Sequence, residues 1–164
     1  MRSAELDHTL AALARRQHGV LSRRQVLDAG GTDRSIAGRL RNGRWIRLDP
    51  GVYALAAAPP TWHRALMAAQ LSEPVAGIAG RAAAAFHVFE GFRPVRPEIA
   101  VPPGSNPISR LAIVHELATT DLTVIHGIRV LTPIDTLLHI AGLVPPARTR
   151  LAFDHLLATR ALRT

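Results

Sequence analysis

The sequence predicts an α+β protein: an N-terminal winged helix-turn-helix followed by a mixed α/β C-terminal domain. Three observations lead there. Near the N-terminus, three short segments with apolar residues at helical spacing are separated by glycines. The third runs directly into two alternating segments turned at Asp49-Pro50-Gly51. Beyond the linker "ALAAAPP" (54–60), helical and extended patterns mix. With 164 residues, 48% of them hydrophobic, the chain can build a real core, in one medium domain or two small ones. We place a winged head at 1–58 and a mixed α/β domain at 59–164.

Each element has a local reason. Leu6, Leu10 and Leu13 share one face of a helix over 4–17, ended by Gly19. Ser22 followed by Gln25 has the form of a capping box, so a second helix runs over 23–29 until Gly30-Gly31 breaks it. Thr32 caps a third helix reaching Asn42, and Gly43 suits the left-handed residue that closes it. Two short helices joined by a glycine turn make a helix-turn-helix. Strands over 44–48 and 52–55 then form the wing, with Trp45 and Tyr53 as hairpin or core anchors rather than stacking platforms. In the second domain, helices are expected over 62–71 and 81–89, and strands over 98–101, 111–115, 122–125 and 128–131. In "LTPIDTLLHIAGL", Thr132 caps, Pro133 takes the first helical position and Asp135 completes an acidic capping box. Ile134, Leu137, Leu138 and Ala141 should form the buried face of that helix. A last helix over 146–162 carries Leu151, Phe153, Leu156, Leu157 and Ala158 around much of its girth, so it needs a partner surface.

Charge points to a polyanion. The net charge is +8 and every basic residue is arginine. Between Arg15 and Arg47 stand nine arginines against two acids, Asp28 and Asp33, while the remainder is nearly balanced. A basic excess confined to one region marks an electrostatic footprint for nucleic acid. Projected at 100° per residue, the third helix puts Ile36 and Leu40 on one side and Arg34, Gly38 and Arg41 on the other, with Ser35 and Asn42 flanking. Arg34, Ser35, Arg41 and Asn42 are therefore assigned to base edges, since guanidinium pairs twice with guanine and a carboxamide with adenine. Arg23, Arg24, Arg44 and Arg47 are assigned to the flanking phosphates, and Arg39, nearer the apolar edge, also to phosphate. Gly38 weakens this helix by roughly 1 kcal/mol against alanine but permits close backbone approach.

Other chemistry finds little support. There is no cysteine, and the eight histidines follow no zinc spacing. Nucleophile-elbow, Walker and dinucleotide patterns are missing, so neither catalysis, metal nor cofactor is expected. No apolar run is long enough for a bilayer and "MRSAELDHTL" has no signal-like apolar core, so a cytoplasmic protein without membrane contact is expected.

The stretches "HGVLSRRQVLDAG", "RSIAGRLRNGRWIRLDPGVYAL", "IAVPPG" and "GIRVLTPIDTLLHIA" resemble the AbiEi-type antitoxin family of bacterial type IV toxin–antitoxin systems. The resemblance implies a DNA-binding head made of the third helix, the Gly43 stop and the strand Gly51–Ala54, followed by an antitoxin region that includes the helix from Pro133. It implies repression of the protein's own operon through double-stranded operator DNA, and counteraction of a nucleotidyltransferase-type toxin. Where relatives place further basic residues on the third helix, this sequence has Ala37-Gly38. Related proteins carry the same two regions ahead of a very-short-patch-repair-like endonuclease domain. The alternative is thus a DNA-targeting front part of a longer protein. Contact of the apolar last helix with a toxin, or self-association through it, is compatible with either.

Overall fold

The computed structural model describes residues 3–107, 109–118 and 121–159. The chain divides into two compact units. In the first, α1 (Ser3–Arg16), β1 (Val20–Ser22), α2 (Arg23–Asp28), α3 (Asp33–Arg41), β2 (Trp45–Asp49), β3 (Val52–Leu55) and α4 (Trp62–Ser72) succeed one another. The strands form an antiparallel sheet in the order β1-β3-β2. Both expected caps of the helix-turn-helix are present as full capping boxes, Ser22 with Gln25 on α2 and Thr32 with Ser35 on α3. Each satisfies two backbone donors that a short helix would otherwise leave open. Gly43 closes α3 at φ +72°. Between α2 and α3, Gly31 lies so close to Val26 that a Cβ would sit 2.7 Å from that residue's carbonyl oxygen. This forces the tight turn that lets α3 cross α2.

The core of this unit joins Leu6, Leu10 and Ala14 of α1 to Leu21, Val26, Ile36, Trp45 and Tyr53. Trp45 and Tyr53 stack at 5.9 Å inside it, as hairpin anchors. The strand β1 was not expected. Leu21 pairs with Tyr53 and turns "HGVLS" into the third strand behind the wing. The first unit also reaches past 58, the boundary taken from the alanine–proline linker. Thr61 caps α4, the Arg64 guanidinium donates to the Ala58 carbonyl at 2.7 Å, and α4 lies on β1, β2 and β3. Residues through Pro74 therefore belong with the head, joined by 109–111. There the Ser109 amide donates to Glu73 at 2.8 Å, and the Arg110 amide to the buried Asp49 carboxylate at 3.2 Å.

The second unit contains β4 (Gly77–Ile78), α5 (Gly80–Phe86), β5 (Glu98–Val101), β6 (Ile113–Glu116), β7 (Leu122–Ile125), β8 (Ile128–Leu131), α6 (Pro133–Ala141) and α7 (Pro146–Ala158). Its sheet order is β6-β5-β4-β8-β7, with parallel β5–β6 and β4–β8 pairs among antiparallel ones. Ile78, Ile99, Ile128 and Val130 are wholly buried. A two-residue turn at His126-Gly127, both at positive φ, joins β7 to β8. No helix among the described residues is long and apolar enough to cross a membrane.

Several expectations need correction here. The helix over 81–89 ends at Phe86, because Val88 turns to φ +58° so that the Phe89 ring enters the core against Ala84, Ile140, Ala152 and Leu156. The strand expected at 111–115 lies at Ile113–Glu116, in parallel register with Glu98–Val101. On α6 the buried residues are Thr136 and Ile140, while Ile134, Leu138 and Ala141 are exposed and Leu137 is partly buried. Thr136 is drawn inward because its hydroxyl donates to the Leu131 carbonyl at 3.2 Å. Thr132 does cap α6, but Asp135 makes no reciprocal box. Its carboxylate accepts instead from the Thr132 hydroxyl and the Asp121 amide, at 2.9 and 3.0 Å. The last helix ends at Ala158 with Thr159 as its C-cap, and 160–162 lie outside the described residues. Ala152 and Leu156 are its buried positions, and Leu151, Phe153 and Leu157 stay exposed.

Candidate nucleic-acid interface

The outward surface of the head is set by how α3 is held. Ile36 is buried and Leu40 packs partly against the same core, which rolls Arg34, Ala37 and Arg41 to the exposed side. Gly43 then turns the chain directly into β2, so that the wing begins beside the helix end. Arg41 and Arg47 line a shallow groove between α3 and the hairpin, together with Asp33, Ala37 and Tyr53. The guanidinium groups of Arg34, Arg41, Arg44 and Arg47 engage no carboxylate among the described residues. Four unpaired cations on one helix and its adjoining strand repel each other, and a row of phosphates would relieve that.

The remaining five predicted contacts stand differently. Arg24 is strongly exposed and only loosely opposed by Asp28 at 3.8 Å, an intrahelical pair of little strength in water. Arg23 is held more firmly, donating through Nε and Nη2 to both oxygens of Asp33 at 2.7 and 2.6 Å. That fork ties the first turn of α2 to the first turn of α3. The hydrogen bond from Arg23 holds the Asp33 carboxyl below its ordinary range, and raises the guanidinium in turn. Arg39 does not face outward. Its guanidinium pairs with Asp7 of α1, donates to the Ser35 carbonyl at 2.9 Å, and lies over the Trp45 ring at 5.4 Å. With its side chain only 12% exposed, it locks α1 to α3, and its assignment to phosphate is withdrawn. Ser35 is likewise withdrawn from base contact. Its hydroxyl donates to the Thr32 carbonyl at 2.7 Å and accepts the Thr32 amide at 3.0 Å, which fills both roles inside the cap. Asn42 is exposed, but its side-chain carbonyl accepts the Arg44 amide at 3.2 Å. Its orientation therefore serves the turn into the wing.

Asp7 and Asp33, the acids that sort these arginines, were not singled out from the sequence. The signal for Asp33 was present, since it begins α3 ten residues after Arg23. Asp7 is thirty-two residues from Arg39, and local periodicity carries no trace of that pairing.

The second unit has a polar centre of its own. Glu98, 1% exposed, accepts from His115 Nε2 at 2.8 Å and faces Arg81 Nη1 at 3.5 Å. Burial pushes this carboxyl up, but the His115 hydrogen bond and charge, with Arg81, more than offset it and hold it below the usual carboxylate value. Beside it the His139 ring meets His115 edge-on at 4.7 Å and accepts the Gly80 amide on Nδ1 at 3.2 Å. Burial, reinforced by His115, lowers the His139 pKa. Gly80 is required here, because at φ +56° a Cβ would stand 2.2 Å from Glu98 Oε2. Among the described residues no group of three or more His, Cys, Asp or Glu is arranged to hold a metal ion. The polar atoms of this cluster are directed at one another, which suits cross-bracing of α5, α6, β5 and β6.

Residues 8–56, from α1 through the wing, match the model of a family described as "Transcriptional regulator, AbiEi antitoxin". No curated protein matches the chain. Among solved structures, the crystal structure of RV2827C protein from Mycobacterium tuberculosis is similar over 86% of this chain, at 18% identity and a TM-score of 0.53. At that identity the likeness is one of fold. The chain spans 61% of the length of that protein. Over residues 8–56, its helix-turn-helix and wing, the head of this chain is of the AbiEi antitoxin type of transcriptional regulator.

Proposed function

We propose that the chain is a sequence-specific double-stranded DNA-binding protein that represses its own operon as the antitoxin of a bacterial toxin–antitoxin pair, acting by binding rather than catalysis. One observation carries this reading. Arg34 and Arg41 stand exposed on the face of α3 opposite Ile36, with Arg44 and Arg47 on the adjoining hairpin, and among the described residues none of the four meets a carboxylate. A helix of this kind enters the major groove while the wing rests on the flanking backbone. Arg34 and Arg41 are the base-reading pair. Arg24, Arg44 and Arg47 hold phosphates, and Arg23, already forked onto Asp33, fixes the angle between α2 and α3. The family description supports a regulator with DNA as its partner.

The test has two arms. A reporter driven by the DNA upstream of the protein's own reading frame should be repressed by the chain and released by Arg41→Ala, which removes about 1–3 kcal/mol of base-specific binding. Expression of the adjacent gene product should arrest growth, and the chain should restore it. Repression without rescue would leave a plain repressor, and a reporter indifferent to the chain would remove autoregulation.

A further inference from the structure

Six glycines lie in the head, and five are explained by the fold. Gly19, Gly30, Gly43 and Gly51 adopt positive φ, and a side chain on Gly31 would strike Val26. Gly38 is the exception. It has an ordinary helical φ in the middle of α3, and a Cβ added there would meet nothing within 4 Å. Neither conformation, packing nor capping asks for glycine at this point, and glycine weakens a helix interior. Its position is specific. Gly38 follows Arg34 by four residues and precedes Arg41 by three, so it shares their side of the helix. The neighbouring Ala37 is exposed and lines the groove that Arg41 and Arg47 share. The Cα atoms of the two arginines thus stand about 10 Å apart along the axis, with bare backbone between them.

We propose that Gly38 sets the depth to which α3 enters the major groove: the helix backbone rests against base edges there, and only at that depth do Arg34 and Arg41 reach bases together. This inference rests on the DNA-binding reading and makes Gly38 a positioning residue for sequence recognition. A side chain at 38 would hold the helix off the groove floor while leaving the phosphate contacts of the wing in reach. Non-specific binding depends on phosphates and specific binding adds base edges, so the two should separate.

The experiment uses the whole chain. A duplex is selected from a random pool with the wild-type protein, and fluorescence anisotropy then compares that duplex with a random one for wild type, Gly38→Ala and Gly38→Leu. Gly38→Ala should raise the melting temperature by about 2–4 °C, because it strengthens a helix with open space around the new methyl. Gly38→Leu should lose at least about tenfold in affinity for the selected duplex, with Gly38→Ala between it and wild type. Both variants should bind the random duplex within about twofold of wild type. A Gly38→Leu protein that is folded and keeps its affinity for the selected duplex would overturn the inference, as would an equal loss on both duplexes. A wild-type chain that bound no duplex would remove the parent reading, and this inference with it.

Discussion

Glu98→Ala is expected to destabilise the C-terminal unit by about 3–5 kcal/mol, the usual consequence of removing one partner from a buried charged pair. The carboxylate is enclosed, and its two oxygens hold His115 and Arg81 at the junction of β5, β6 and α5. Without it, a half-buried guanidinium and an imidazole face a cavity with no acceptor. Glu98→Gln should recover part of the loss, since it keeps an acceptor oxygen in place. Partly buried histidines and Glu98 give the unit a defined acid response. His139 and His87 have pKa values lowered by burial, so as pH falls through about 6.5 the unfolded chain takes up protons before the folded one does, and stability begins to decline there. Glu98, held below its ordinary value, contributes stability that is present above the carboxylate range and lost as pH falls through its folded pKa. Urea titrations monitored by circular dichroism between pH 8 and about 3.5 would show a two-stage decline in wild type. The second stage should be reduced in Glu98→Gln, leaving the part that Asp33 contributes. A flat wild-type profile, or a Glu98→Ala protein as stable as wild type, would contradict the bracing role.

Arg39→Ala should destabilise the head by about 2–3 kcal/mol, less than a fully enclosed pair because Asp7 is about half exposed to water. Three contacts go at once: the ion pair to α1, the bond to the Ser35 carbonyl, and the stack on Trp45. Arg39→Lys should rescue little, since an ammonium can neither fork nor lie flat on an indole. At temperatures well below its melting point, Arg39→Ala should bind DNA as wild type does. A variant with unchanged melting but uniformly weakened DNA binding would return Arg39 to the phosphate-contacting set.

The contrast between Arg39 and Arg41 shows what the sequence could and could not convey. Caps, breaks and turns are local chemistry, so Ser22, Thr32, Gly43 and Pro50-Gly51 located α2, α3 and the wing within a residue or so. The outward face of α3 was legible because Ile36 and Leu40 mark the inward one. Asp7 lies on another helix, and only the tertiary fold brings it to Arg39. Strands β1 and β4, three and two residues long, are too short to show alternation and exist through their pairing with β3, β5 and β8. On α6, apolar residues stand almost all round, so periodicity could not choose its buried side. A single hydroxyl on Thr136, bonded to Leu131, marks that side better than the exposed Leu138 does. Glu98 reads as one acid in a strand until β6 and α5 supply its partners.

The most direct test of DNA binding by the head is the salt dependence carried by its phosphate-facing arginines, Arg24, Arg44 and Arg47. Anisotropy of a random duplex should be measured across about 50 to 200 mM salt for wild type and for the combined Arg24→Ala, Arg44→Ala and Arg47→Ala variant. Each lost phosphate contact lowers the slope of log affinity against log salt by about 0.9. We expect wild-type binding that weakens steeply with salt, and a variant that melts normally but has lost most of that slope and affinity. Equal slopes in the two proteins, or wild-type binding indifferent to salt, would contradict it.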